Sequence, residues 1–160
     1  MTSRKIKDRY LSQRIPDLKA ETEALRVADF VRTIENFAKE YLTGAMEIET
    51  EGSSDGAISI SVAYTAYLLR SFLSSVRSDE MIYLKIAFDG ALSLSVSFSS
   101  LPSAEELSEI ITLARVAGWD VKRDGETLHF YAEVYDDRAL QIYAVSIDDL
   151  MSEFKNIIFL

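Results

Sequence analysis

A two-layer α+β sandwich, with helices packed on one face of a mixed, mostly antiparallel sheet, is the fold this sequence predicts. Three observations lead there. Helical segments alternate with strands at hairpin spacing. Each strand is apolar on one side only, so each sheet face reads as singly buried. One helix, near 63–78, is apolar around most of its circumference and must be enclosed.

Pro16-Asp17 opens a helical stretch expected to run to about Thr43. Whether residues 17–26 belong to that helix or to a separate one is open. Val27, Val31, Ile34, Ala38 and Tyr41 follow helical spacing, and Phe30 and Phe37 widen the stripe. Glu35 and Lys39 form an i, i+4 pair on the other side, and Gly44 suits a left-handed helix end. Met46, Ile48 and Thr50 alternate with acids as in a half-buried strand, and 51–56 reads as a turn. Ile58, Ile60 and Val62 alternate again before the apolar helix begins near Ala63.

Ile82, Leu84, Ile86 and Phe88 then face Leu92, Leu94, Val96 and Phe98 across Asp89-Gly90, a two-residue hairpin signal. Ser93, Ser95, Ser97 and Ser99 take the wet side. Ser103-Ala-Glu-Glu106 is a capping box; Leu107, Ile110, Ile111, Ala114 and Ala117 continue its helix to Gly118. Trp119, Val121 and Arg123 lead through a turn at Asp124-Gly125 to a strand with Leu128, Phe130, Ala132 and Val134 on one face. A strand near 140–145 and a helix capped by Ser146, with Asp149 at its third position, complete the pattern.

With 160 residues this is one domain, read as a basic arm over 1–16 and an α+β domain over 17–160. Residues 1–14 carry a net charge of +4, leaving −13 on the remainder of a chain whose total is −9. The acidic body argues against a nucleic-acid-binding domain, because phosphate repulsion would have to be overcome. The arm reads as a solvated terminus or as a segment lying on its own acidic surface. No apolar run approaches the ~20 residues of a spanning helix, so no membrane insertion is expected. The N-terminus has no signal-peptide core, and the absence of cysteine excludes disulfides and thiol chemistry. Together these point to a cytoplasmic address.

The usual chemical constellations are missing. Neither phosphate-cradling loop, G-x-x-x-x-G-K-[ST] nor G-x-G-x-x-G, is present, and there is no G-x-S-x-G elbow. His129 is the single histidine and shares strand parity with Thr127 and Tyr131, which rules out a His-rich zinc site. Glu105-Glu106 and Asp148-Asp149 fall in first helical turns, where the dipole explains them, and Asp136-Asp137 falls at a strand end. The serines of 93–99 are read as hydroxyls without a nearby base, hence not nucleophiles.

The order helix, strand, long apolar helix, hairpin, helix, hairpin resembles the ATP-binding domain of sensor histidine kinases, shared by gyrase-type and heat-shock-chaperone-type ATPases. Residues 113–131, with Gly118 before a strand and Gly125 in the turn, are similar to the family's last helix and closing strands. Residues 68–76 have the spacing of its N-box helix. The resemblance covers roughly 25–135, with 136–160 an extension. It implies a fold; the functional positions depart from the family.

Ser75, or Ser71 one turn earlier, stands where the resemblance puts the magnesium-binding asparagine, and a hydroxyl is the poorer ligand. Phe98, Ser100 and Pro102 occupy the D-x-G-x-G positions. Phe98 cannot accept the adenine amino proton, and Pro102 lacks a donor and glycine's freedom. No room is left for a nucleotide lid. The resemblance thus implies a degenerate, non-catalytic module of bacterial signalling, with no nucleotide, metal or cofactor, acting as a homodimer or on a protein partner. The apolar residues Ile142, Tyr143, Val145, Phe154, Ile157, Ile158, Phe159 and Leu160 beyond residue 136 either dock on the chain's own core or offer a patch to another subunit. Two alternatives stand beside the degenerate module. One is an ATP-binding protein or kinase recruiting Asp89 or Asp79; the other is an unrelated small-ligand domain with Tyr64, Tyr67, Trp119 and Tyr131 lining a pocket.

Overall fold

A computed structural model describes residues 21–52, 55–74, 80–88, 90–98, 102–136 and 146–159. The basic arm and the strand expected near 140–145 lie outside them. The described elements are β1 (Glu23–Arg26), α1 (Val27–Tyr41), β2 (Met46–Glu51), β3 (Ala57–Ile60), α2 (Val62–Ser74), β4 (Ile82–Phe88), β5 (Ala91–Ser97), α3 (Ala104–Ala117), β6 (Asp120–Asp124), β7 (Thr127–Glu133) and α4 (Ile147–Ile158). The main sheet has the order β2-β4-β5-β7-β6, with β2 parallel to β4 and every other pair antiparallel. This is the mixed, mostly antiparallel sheet of an α+β sandwich.

Alternation fixes which side is covered. Ile82, Leu84, Ile86, Leu92, Leu94, Val96, Leu128, Phe130 and Ala132 are all buried, while their neighbours in sequence are exposed or half-buried. The helices collect on the apolar side. Helix α2 is buried along most of its length, because α3 and α4 both pack against it. Ser61 supplies an N-cap that the alternation had concealed, its Oγ accepting a hydrogen bond from the Tyr64 N–H at 3.3 Å. Trp119 is 2% exposed, and its Nε1 donates to Thr65 Oγ1 at 3.1 Å, satisfying two buried polar groups at once.

One expectation is corrected at the N-terminal end. Helix α1 begins at Val27, and Glu-Ala-Leu-Arg of 23–26, part of the expected helical stretch, is a strand; the start of that stretch at Pro16-Asp17 lies outside the described residues. All four residue types favour helices, yet antiparallel pairing with β3, Leu25 opposite Ile58, overrides that weak local preference. The result is a second, two-stranded sheet, joined to the end of β7 by the Ala57–Tyr135 bridge. Gly118, the left-handed cap of α3 at φ +101, lies beside it: a Cβ there would be in ordinary contact with Ser59 O at 3.4 Å, and it is the positive φ that calls for glycine. At the expected hairpin turn the register places Phe88 opposite Leu92 and Gly90 is left-handed at φ +74, while Asp89 lies outside the described residues. Gly44 is left-handed at φ +84 as expected, but lies in the turn after α1, whose cap is Leu42.

The two expected caps are present, Ser103 Oγ accepting from the Glu106 N–H and Ser146 Oγ from the Asp149 N–H. Helix α4 docks on the chain's own core: Phe154, Ile157 and Ile158 are buried, and Phe154 meets Phe37 of α1 edge-on at 6.1 Å. Phe159 stacks on Phe37 and remains 55% exposed. Arg70 of α2 donates to the Ile157 carbonyl at 3.4 Å near the end of α4.

Two contacts make stability depend on alkaline pH. A hydrogen bond to Glu51 at 3.0 Å, then the Glu51 and Glu49 charges, raise the Lys85 ammonium above its ordinary range. A hydrogen bond to Glu133 likewise raises the Tyr135 phenol. Both groups hold their proton more tightly folded than unfolded. Their contribution is therefore complete below the ordinary pKa values, about 10, and is lost as pH rises through the raised ones. The melting temperature is expected to fall over that range, by less in Glu51→Gln and Glu133→Gln variants, as followed by thermal denaturation at stepped pH. Phe154→Ala is expected to cost about 3–5 kcal/mol in urea unfolding; a loss below about 1 kcal/mol would show that α4 does not close the core.

Candidate functional site

The site implied by the resemblance lies where α2 ends, β5 ends and α3 begins. Strand parity continues through Phe98, which puts its side chain on the helix side with Leu92, Leu94 and Val96. Phe98 is 3% exposed and meets Phe72 of α2 edge-on at 6.2 Å; Phe72 in turn lies 5.4 Å from the Phe130 ring. Three aromatic rings from a helix and two strands thus fill the interlayer space at this level. Such packing holds the Phe98 ring within the core. The Phe98 N–H donates to the Glu126 carbonyl at 3.4 Å, tying the strand end to the β6–β7 turn.

Ser71 is half-buried, and its hydroxyl donates to the Tyr67 carbonyl one turn earlier at 3.0 Å. The proton is committed to the helix backbone, although the oxygen keeps acceptor capacity. Pro102 is buried immediately before the Ser103 cap. Ser75 and Ser100 lie outside the described residues, as do Asp79 and Asp89. Of the five positions that the resemblance singles out, Phe98, Ser71 and Pro102 lie among the described residues, and Phe98 and Pro102 are buried.

The four aromatics of the ligand-pocket alternative are not brought together. Trp119 is bonded to Thr65 in the core and rests 5.8 Å from Phe30. Tyr64 is buried, and Tyr67 lies beneath the Arg70 guanidinium at 5.6 Å. Tyr131 stands on the opposite face of the sheet.

That opposite face carries a concavity of about 930 Å³, open to solvent. It is floored by the outward residues of β2, β4, β5 and β7. The register aligns Glu49, Lys85, Ser95, His129 and Lys122 in one row across five strands. Ser95 Oγ and His129 Nδ1 lie 2.7 Å apart, and Ser97 Oγ and Thr127 Oγ1 lie 3.2 Å apart. The reading of the serines as hydroxyls without a base is therefore corrected at Ser95. The cross-strand register, unreadable from spacing within either strand, makes this contact. It is a hydrogen-bonded pair without the carboxylate that orients the ring in nucleophilic sites, since no acid among the described residues bonds His129. No group of three or more His, Cys, Asp or Glu able to hold a metal ion occurs among the described residues. No described helix is long and apolar enough to cross a membrane.

No family model and no curated protein matches the chain. Solved structures do. The chain is similar to the catalytic domain of histidine kinase ThkA in two nucleotide-free forms, at 12% and 11% identity. The matches span 71% and 74% of this chain and 96% and 98% of those, with a TM-score of 0.46 each. It is also similar to the Acinetobacter baumannii histidine kinase AdeS, at 12% identity over 82% of this chain and 77% of that one, with a TM-score of 0.45. A likeness at this level assigns no residue a role.

Proposed function

We infer that this chain is a non-catalytic module of the histidine-kinase-ATPase-like kind, which binds no nucleotide and acts through protein–protein contacts, as a homodimer or on a partner. The observation that carries the reading is the burial of Phe98 against Phe72 at the position where the sequence resemblance puts a purine-binding aspartate. A nucleotide would have to displace a packed ring and would find no acceptor there for its amino group. The commitment of the Ser71 proton to its own helix, and the buried Pro102 in place of a flexible glycine, point the same way.

Two measurements test it. In the presence of magnesium and millimolar ATP or ADP the melting temperature is expected not to move. Ligand at a hundred times its Kd would add about 2.7 kcal/mol, so a shift that grows with nucleotide concentration would overturn the reading. Phe98→Ala is expected to destabilise the chain by about 3–5 kcal/mol in urea unfolding. A cost below about 1 kcal/mol would mean that the ring fills nothing and the site is open.

A further inference from the structure

We propose that the open face of the main sheet is the docking surface for the chain's own basic segment, residues 4–14. The register assigns six acids to this face, Glu47, Glu49, Glu51, Asp120, Asp124 and Glu133, against Lys85 and Lys122, a net of −4. All eight are exposed. The acids stand mainly toward the two margins, and hydroxyls and aromatic rings occupy the middle, with Tyr83 51% exposed. Residues 4–14 match this in kind: Arg4, Lys5, Lys7, Arg9 and Arg14 against Asp8, with Ile6, Tyr10 and Leu11 among them. The charges are equal and opposite, and a phosphate-bearing partner would be repelled from the same face.

The point of attachment favours the chain's own segment over a second copy. Thr22 Cγ2 lies 3.7 Å from where a Cβ on Gly118 would stand, and Gly118 precedes β6 by two residues. The segment therefore joins the fold at the β6 margin of the sheet. Five strands are spanned by four gaps of ~4.8 Å, roughly 19 Å in all. The eight residues from Thr22 to Arg14 reach roughly 26 Å when extended. Every basic residue of the segment is within range of the face, at the high effective concentration a short tether confers. Docking there is an electrostatic contact between exposed groups, sensitive to salt, and it does not depend on the nucleotide reading above.

The chain lacks cysteine, so Ser3→Cys carries a single nitroxide label. At low ionic strength, amide resonances of residues 93–97 and 127–131 are expected to broaden, while those of the exposed Ser108 and Thr112 on α3 keep their intensity. Broadening is expected to vanish at about 1 M salt, where screening shortens to roughly 3 Å, and in the Glu47→Lys, Glu49→Lys double variant with its circular dichroism unchanged. Absence of broadening at low salt, or broadening that survives both treatments, overturns the proposal. So does equal broadening of an unlabelled isotopic chain by a spin-labelled second copy, since the segment then sits on a neighbour.

Discussion

One-sidedness of the main sheet is the constraint on which the rest depends. Nine inward residues of β4, β5 and β7 are apolar and buried without a polar interruption, and their outward neighbours are mainly serines, threonine, histidine, tyrosines and lysine. Since only one side rewards cover, all four described helices gather there, and α2 becomes a helix with almost no wet side. The same condition draws Phe72, Phe98 and Phe130 into one cluster. No described helix covers the other side of the sheet, which offers polar and ionic contacts instead.

How much of this was legible follows from the range of the interactions concerned. The alternation of 82–88, 92–98 and 128–134, the caps at Ser103 and Ser146 and the stripe of α1 depend on neighbours a few residues away, and each is found. Residues 23–26 depend on a partner more than thirty positions distant. Their side chains favour a helix, and nothing local announces that Leu25 will pair with Ile58. At Gly90 the local reading holds, the glycine being left-handed, whereas the pairing of Phe88 with Leu92 depends on the register of the strands.

The candidate site divides along the same line. That Phe98 points inward was legible from parity; that it closes the interlayer space was not, because Phe72 and Phe130 come from other elements. His129 was correctly assigned to the outward face, but its contact with Ser95 depends on how β5 and β7 are aligned. Tyr64, Tyr67, Trp119 and Tyr131 share a chemical character without sharing a location. Similar residue types in one sequence say little about convergence until the topology is known.

The margins of the sheet bear on how copies of this chain can meet. β2 exposes Glu47, Glu49 and Glu51, and β6 presents Asp-Val-Lys-Arg-Asp. Were two β6 strands to align antiparallel about Lys122, lysine would face lysine and aspartate would face aspartate; two β2 strands would oppose glutamates. Strand-by-strand growth from one molecule into the next is thus penalised at either border, which protects a concentrated solution from fibre-like polymerisation. Symmetric pairing through either edge of the main sheet is therefore disfavoured relative to pairing through helices or broad surfaces.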